Sequence, residues 1–424
     1  MTRIFVLSIV ALIHLFAQGG SPDPVFASIP FEHWLEESAQ TKIRWTVTVS
    51  GGQLSSHQRL LARVTIELDG EELDKRRGQG QLILLVQFKD GAGRAYQTHQ
   101  SIELKEVGEA ARSQSFVYTQ DAFVTPGDYR VTFAVFATAT KEHSIAQRTL
   151  HVAALKNDPL PEAWRDLPPV EFLSDASTPD AWYLPSVSGR LHLPLETRRP
   201  VGIELLVNLT PSEQASAMRR QSRALGALIP ALKVLSQVDA RNGSLNISAL
   251  DLARRRVCFE QDSVRDLDWP RLRASLAEAD TNVIDVHSLE NRGQNAQFFV
   301  TEVSRRIAGA EPPHILIVLS GPVVFDRGED LHPIHVTNDL NCRVFYIRYH
   351  SRPMRPPAGS ILPRPATGRH SIPPTRSAAG AEMDSLEQTL KPLKPRLFDV
   401  YSAEQFRKAL GALLDDISRI AQDR

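Results

Sequence analysis

From Lys42 to about Leu155, apolar and polar side chains alternate in short runs separated by turn residues. In Ile43 to Val49 and again in Ala62 to Leu68, every second position is apolar, the period of a half-buried strand. Leu82 to Phe88 is apolar almost throughout, as a central strand covered on both faces would be. Asp90-Gly91-Ala92-Gly93 and Pro126-Gly127-Asp128 supply turns, the second leading into a strand from Tyr129 to Phe136, with a last strand near Gln147 to Val152. About seven strands at this spacing predict a β-sandwich over 28–156.

A Pro-rich stretch, 157–198, reads as a linker, and after it the pattern changes. Apolar runs bounded by turns now alternate with helical stretches: a strand at Val201–Val207, then a helix with Leu225, Leu228, Ile229, Leu232 and Leu235 on one face. Ser244–Leu252 and Arg256–Gln261 lie too close together for a helix between them and predict a hairpin. Helices are expected near Trp269–Glu278 and Gln294–Ala308, and strands at His314–Leu319, Cys342–Tyr349 and Arg396–Val400. Ser402 and Gln405 form a capping-box pattern before a last helix, whose stripe is Phe406, Leu410, Leu413, Leu414, Ile417 and Ile420. Between Arg352 and Pro395 the composition turns to Pro, Arg, Ser, Gly and Ala, which predicts a disordered insertion within a domain spanning 199–424. The expected architecture is an N-terminal all-β, immunoglobulin-like sandwich followed by a C-terminal α/β doubly wound, Rossmann-like domain.

The N-terminus changes the expected compartment. Arg3 precedes an apolar run from Ile4 to Phe16, followed by Ala17-Gln18-Gly19-Gly20, the order of a secretory signal. The run is about 13 residues, short of the roughly 20 that span a bilayer as a helix. Cleavage is expected after Gly19 or Ala27, the signal being assigned to 1–27, so the protein is expected to be periplasmic or extracellular, with no membrane span afterwards. Lys plus Arg and Asp plus Glu both number 49, so the charge balance points to neither nucleic acid nor an anionic surface as partner. Two cysteines, Cys258 and Cys342, do not make a disulfide scaffold. The strand order expected here puts them about four strand spacings apart, as two free, buried thiols.

The order of strand, helix, hairpin, helices, strong strand, strand and final strand-helix over Arg199–Arg424 resembles the von Willebrand factor A domain of secreted bacterial proteins. In that family the first strand ends in Asp-x-Ser-x-Ser, a middle loop gives a Thr, and an Asp follows the strong fourth strand. Together these hold a divalent cation that takes a ligand carboxylate. Here the first motif reads Asn208-Leu209-Thr210-Pro211-Ser212, Thr281 is the candidate loop Thr, and Ser320-Gly321-Pro322 has Gly321 where the Asp is expected. The resemblance therefore implies a degenerate adhesion site with no metal and no cofactor. Mg²⁺ or Ca²⁺ would need Glu213, Asp280 or Asp285 as substitute ligands. Read without the family, Thr210, Pro211 and Glu213 make a helix start.

No metalloprotease, nucleophile-elbow, phosphate-loop or Cys-x-x-Cys motif occurs in the chain. The expected function is a non-catalytic, extracytoplasmic binding protein of the cell envelope that holds a protein partner. Its candidate surface comprises Asn208, Thr210, Ser212, Glu213, Thr281, Ser320, Gly321, Val323 and Phe325. A metal-dependent, adhesin-like receptor is the alternative. An envelope hydrolase using Ser320, with His335, Asp326 and Asp339 nearby in sequence, is the third.

Overall fold

The computed structural model describes residues 23–36, 42–173, 187–210, 217–279, 294–308, 313–323, 334, 342–350 and 384–422. The chain divides into two compact units, Met1–Leu193 and Pro194–Arg424.

The first unit holds two four-stranded antiparallel sheets, built from β1 (Trp45–Leu54), β2 (Leu60–Asp69), β3 (Gln81–Lys89), β4 (Ala95–Glu103), β5 (Ser115–Val124), β6 (Gly127–Ala137), β7 (His143–Val152) and β8 (Val170–Phe172). Their orders are β1-β2-β5-β8 and β4-β3-β6-β7. β8 pairs with β5 from within the stretch read as a linker. Tyr129 donates its hydroxyl to the Thr125 carbonyl at 2.9 Å and so fixes the corner into β6.

The continuous apolar run of β3 has a physical reason. Leu84, Val86 and Phe88 pair across to Val135, Phe133 and Val131 on one face, where Phe88 meets the Phe172 ring of the other sheet at 5.7 Å. Ile83 and Leu85 face the opposite way, beside Ala134, Phe136 and Ile145. That second apolar face is covered by two short helices, α1 (Pro24–Ser28) and α2 (Phe31–Glu36), through Phe26, Phe31 and Trp34.

A helical turn, α3 (Gly70–Asp74), carries an ion network around Glu72, whose side chain is 4% exposed. Burial pushes its carboxyl up, but hydrogen bonds from Lys75, Arg76 and Arg44 outweigh this and hold it near 2. A carboxyl depressed in the folded state stabilises fully above its unfolded value, here about 4.5, and loses that contribution as pH falls toward 2. Arg44 and Lys75 are exposed and screened, so the contribution is on the order of 2 kcal/mol. Acid titration of chemical stability should show Glu72→Gln losing its deficit relative to wild type between pH 4.5 and 2, and a constant deficit would refute this account.

The second unit contains one six-stranded sheet of β9 (Gly202–Asn208), β10 (Ser244–Asp251), β11 (Arg256–Gln261), β12 (His314–Ser320), β13 (Cys342–Tyr349) and β14 (Arg396–Val400). Its order is β11-β10-β9-β12-β13-β14. The helices are α4 (Ala217–Leu235), α5 (Trp269–Ala279), α6 (Asn295–Ile307), α7 (Ser385–Leu390) and α8 (Ala403–Gln422). α6 and α7 pack on Leu206, Leu316, Val318, Val344 and Tyr346. α8 buries its Phe406, Leu410, Leu413, Leu414 and Ile417 stripe, and the expected cap forms: Gln405 N donates to Ser402 Oγ at 3.3 Å, while Tyr401 N donates to Gln405 Oε1 at 2.7 Å.

The expected fold class is corrected. The chain is mostly β, with several antiparallel sheets and one mixed sheet, and no clear doubly wound, Rossmann-like domain is evident among the described residues. A doubly wound sheet needs a crossover helix after each strand. β10 and β11 are joined by the four-residue turn Leu252–Arg255 and run antiparallel, which makes the sheet mixed. The expected disorder of 352–395 is corrected at its end, since Asp384 through Leu390 is ordered and packed, with Leu386 and Leu390 fully buried. No described helix is long and apolar enough to cross a membrane. The expected apolar export run lies outside the described residues.

Candidate functional site

The parallel pairing of β9 with β12 brings two sequence-predicted residues together at the carboxyl end of the sheet. Val207 is level with Leu319, so the next residues, Asn208 and Ser320, meet. Both are buried, at 1% and 0% exposure. Asn208 Nδ2 donates to Ser320 Oγ at 2.9 Å and more weakly to the Thr210 carbonyl at 3.3 Å. Asn208 Oδ1 accepts from Thr210 N at 3.0 Å. Ser320 Oγ donates to the Gly321 carbonyl at 2.6 Å. An amide has a donor and an acceptor to offer here, and the pocket uses both.

Pro211 and Glu213, which complete the helix-start pattern with Thr210, lie outside the described residues, while Thr210 itself is described. Its hydroxyl donates to Asp251 Oδ1 at 3.1 Å and accepts from Ala253 N at 3.4 Å, tying the strand end to the β10–β11 turn. Asp251 was not among the sequence candidates, because it comes from the neighbouring strand. It is a carboxylate bonded directly to the motif, and it is already occupied. Arg254 N reaches its Oδ1 at 3.1 Å, Arg254 Nη1 its Oδ2 at 3.2 Å, and Arg256 Nε lies 3.7 Å from that Oδ2.

A second buried polar cluster continues from Ser320 through β13. Ser320 is a hydrogen-bonding neighbour of Tyr346, whose hydroxyl donates to Asp384 Oδ2 at 2.6 Å. Burial and the adjacent Asp384 carboxylate push the Tyr346 phenol well above its ordinary value. Asp384 Oδ1 accepts from Val323 N at 3.1 Å and from Leu386 N at 3.2 Å, and Arg348 Nη1 lies 3.4 Å from Oδ2. Arg348 also pairs with Glu387 and Asp399 at 2.6 Å each. Asp384 thus anchors the post-β12 segment, α7 and β13 at one carboxylate. The sequence signal for it was Asp384-Ser385-Leu386-Glu387, an acidic cap before two apolar positions, hidden at the end of the Pro-rich stretch.

Val323 is corrected as a surface candidate: it is 5% exposed and belongs to the core that holds Leu316, Val318 and Tyr346. Gly321 is half-buried, and a Cβ there would have room, its nearest neighbour being the Tyr349 carbonyl at 3.6 Å. Ser212, Glu213, Thr281, Phe325, Asp280, Asp285, Asp326, His335 and Asp339 lie outside the described residues. No group of three or more metal-ligating side chains occurs among the described residues. Cys258 and Cys342 are free and separated by β10, β9 and β12. They are half-buried rather than buried. Burial pushes their thiols up to about 11 and about 12, so neither is a ready thiolate nucleophile at neutral pH.

No family model matches the chain, and no curated protein matches it. Among solved structures, a Bordetella pertussis protein described as ApaA is 16% identical, over 27% of this chain and 97% of its own length, with a TM-score of 0.18. A second structure, a structural-genomics target, is 18% identical over 28% of this chain and 96% of its own, also with a TM-score of 0.18. Likeness at that level carries no functional argument.

Proposed function

We propose that the chain is an exported, non-catalytic binding protein that holds a protein partner at the carboxyl ends of β9 and β12 without a cation. The observation that carries this reading is the Asn208–Ser320 bond at 2.9 Å. The resemblance to von Willebrand factor A domains would put a metal at that position, and here the Asn208 amide bonds Ser320 while the Asp251 carboxylate takes the Thr210 hydroxyl and Arg254. An uncharged ligand set would have to strip a hard cation of water with no charge in return. The Ser320 hydroxyl is fully buried and committed to the Gly321 carbonyl, which supports a structural role over a nucleophilic one. The surface left for recognition comprises Thr210, Ala253, Arg254, Gly321 and Pro322, all partly exposed.

The metal-dependent receptor remains the second reading because of one observation, the Asp251 carboxylate beside Thr210. Arg254 and Arg256 already neutralise it, which weighs for the cation-free reading. A ligand bound only by the native state raises its stability. Millimolar Mg²⁺ or Ca²⁺ is therefore expected to leave the melting temperature unchanged. Capture of an envelope protein on the immobilised chain should survive EDTA and weaken at least tenfold with Gly321→Arg. A cation-induced rise in melting temperature, or release of the partner by EDTA alone, would establish the receptor reading instead.

A further inference from the structure

The sequence offers two places where an export signal could be cut. Ala17-Gln18-Gly19 and Val25-Phe26-Ala27 both present small residues at the positions such cleavage requires. Of the residues between those places, Asp23 to Ala27 are described, and the fold uses them.

The described residues begin at Asp23. Its Oδ1 caps α1 by accepting from Val25 N at 2.9 Å, and its Oδ2 lies 2.6 Å from His99 Nδ1 on β4. Phe26 is 6% exposed and packs edge-on against Phe31 with ring centroids 4.8 Å apart. Trp34 follows on the same surface, 5.2 Å from the Phe136 ring and stacked on His143 at 4.2 Å. Beneath them lies the second apolar face of the β4-β3-β6-β7 sheet: Ile83, Leu85, Ala134, Phe136 and Ile145, none more than 8% exposed. One face of an antiparallel sheet commonly meets water and is then polar. This one is not, so it needs its cover. A cut after Ala27 would remove Asp23 with its His99 contact, and Phe26 with its place on the apolar face. Phe31 and Trp34 would remain on a six-residue helix that has lost its neighbour, and helices so short are not stable without packing.

We infer that the export signal is removed upstream of Asp23, and that Asp23–Glu36 stays in the mature protein as a permanent hydrophobic cover of the first unit. This inference rests on the export reading above. It predicts that the boundary at residue 27 is wrong and that the earlier small-residue cluster directs processing.

The test is intact-mass measurement of the exported product when the full chain, Met1–Arg424, is expressed in a secreting bacterium. The expected product retains Phe26 and begins no later than Asp23. Ala27→Arg, at an exposed position, should leave that mass unchanged except for the substitution, while Gly19→Arg should block or shift processing. A product beginning at Ser28 would overturn the inference while leaving export standing. A full-length chain retained in the cytoplasm would overturn the export reading itself, and an exported chain still carrying residue 1 would overturn removal of the signal. As an independent arm, a chain made to begin at Ser28 should melt roughly 5 °C or more below one beginning at Gly20. Equal melting temperatures would show that the segment is not the cover described here.

Discussion

Asp384→Ala is expected to cost the second unit about 3–5 kcal/mol, because removing one partner of a buried, charged cluster leaves the others uncompensated. Four donors converge on this carboxylate: Val323 N, Leu386 N, the Tyr346 hydroxyl and Arg348 Nη1. Tyr346 is fully buried and cannot turn to water, and the Arg348 side chain is only 15% exposed. Asp384→Asn is the sharper variant. Its amide oxygen can keep the two backbone donors, but its NH₂ then points at a hydroxyl and a guanidinium that need an acceptor. Chemical denaturation should show both variants impaired, with Asn intermediate. If either matches wild type, Asp384 is not the anchor described.

Asn208→Asp is expected to lose about 3 kcal/mol in metal-free buffer. The new carboxylate keeps an acceptor for Thr210 N, but its other oxygen faces Ser320 Oγ and the Thr210 carbonyl, where the amide had donated. A buried carboxylate with one backbone donor and no cation beside it has a raised pKa, so the deficit should shrink as pH falls and the acid form donates again. A divalent cation would supply the new carboxylate with the countercharge it lacks, so magnesium should rescue the variant in part while leaving wild type unchanged. The outcome to fear is a variant as stable as wild type without metal, since the Asn208 amide would then not be what closes the site.

Much of the strand content was legible because a single physical signal decides it. Alternation in Ala62–Leu68 appears as β2, with Leu68, Ile66, Val64 and Ala62 buried and their neighbours less so. The spacing of Ser244–Leu252 and Arg256–Gln261 permits only a tight antiparallel turn, and one is found. The architecture was less legible, because periodicity identifies segments and says little about which connections carry helices. The same limit applies to the site. Asn208, Thr210 and Ser320 could be named from a motif on one segment, whereas Asp251 joins them only through strand pairing. Asp384 was masked by the composition of its surroundings, and Val323, apolar and next to a strand end, reads the same whether it faces water or core.

The doubly covered strand β3 imposes an order on how the first unit matures. Phe26, Phe31 and Trp34 are made first, but the surface that receives them is assembled from β3, β6 and β7, whose last contributor, Ile145, follows far along the chain. Until that strand is in place, two greasy faces stand open at once, the situation in which nascent chains associate with the wrong neighbours. Contacts between such distant segments also form slowly, since a long loop must close before they are rewarded. A chain made from its amino end therefore carries its own plug ahead of the socket.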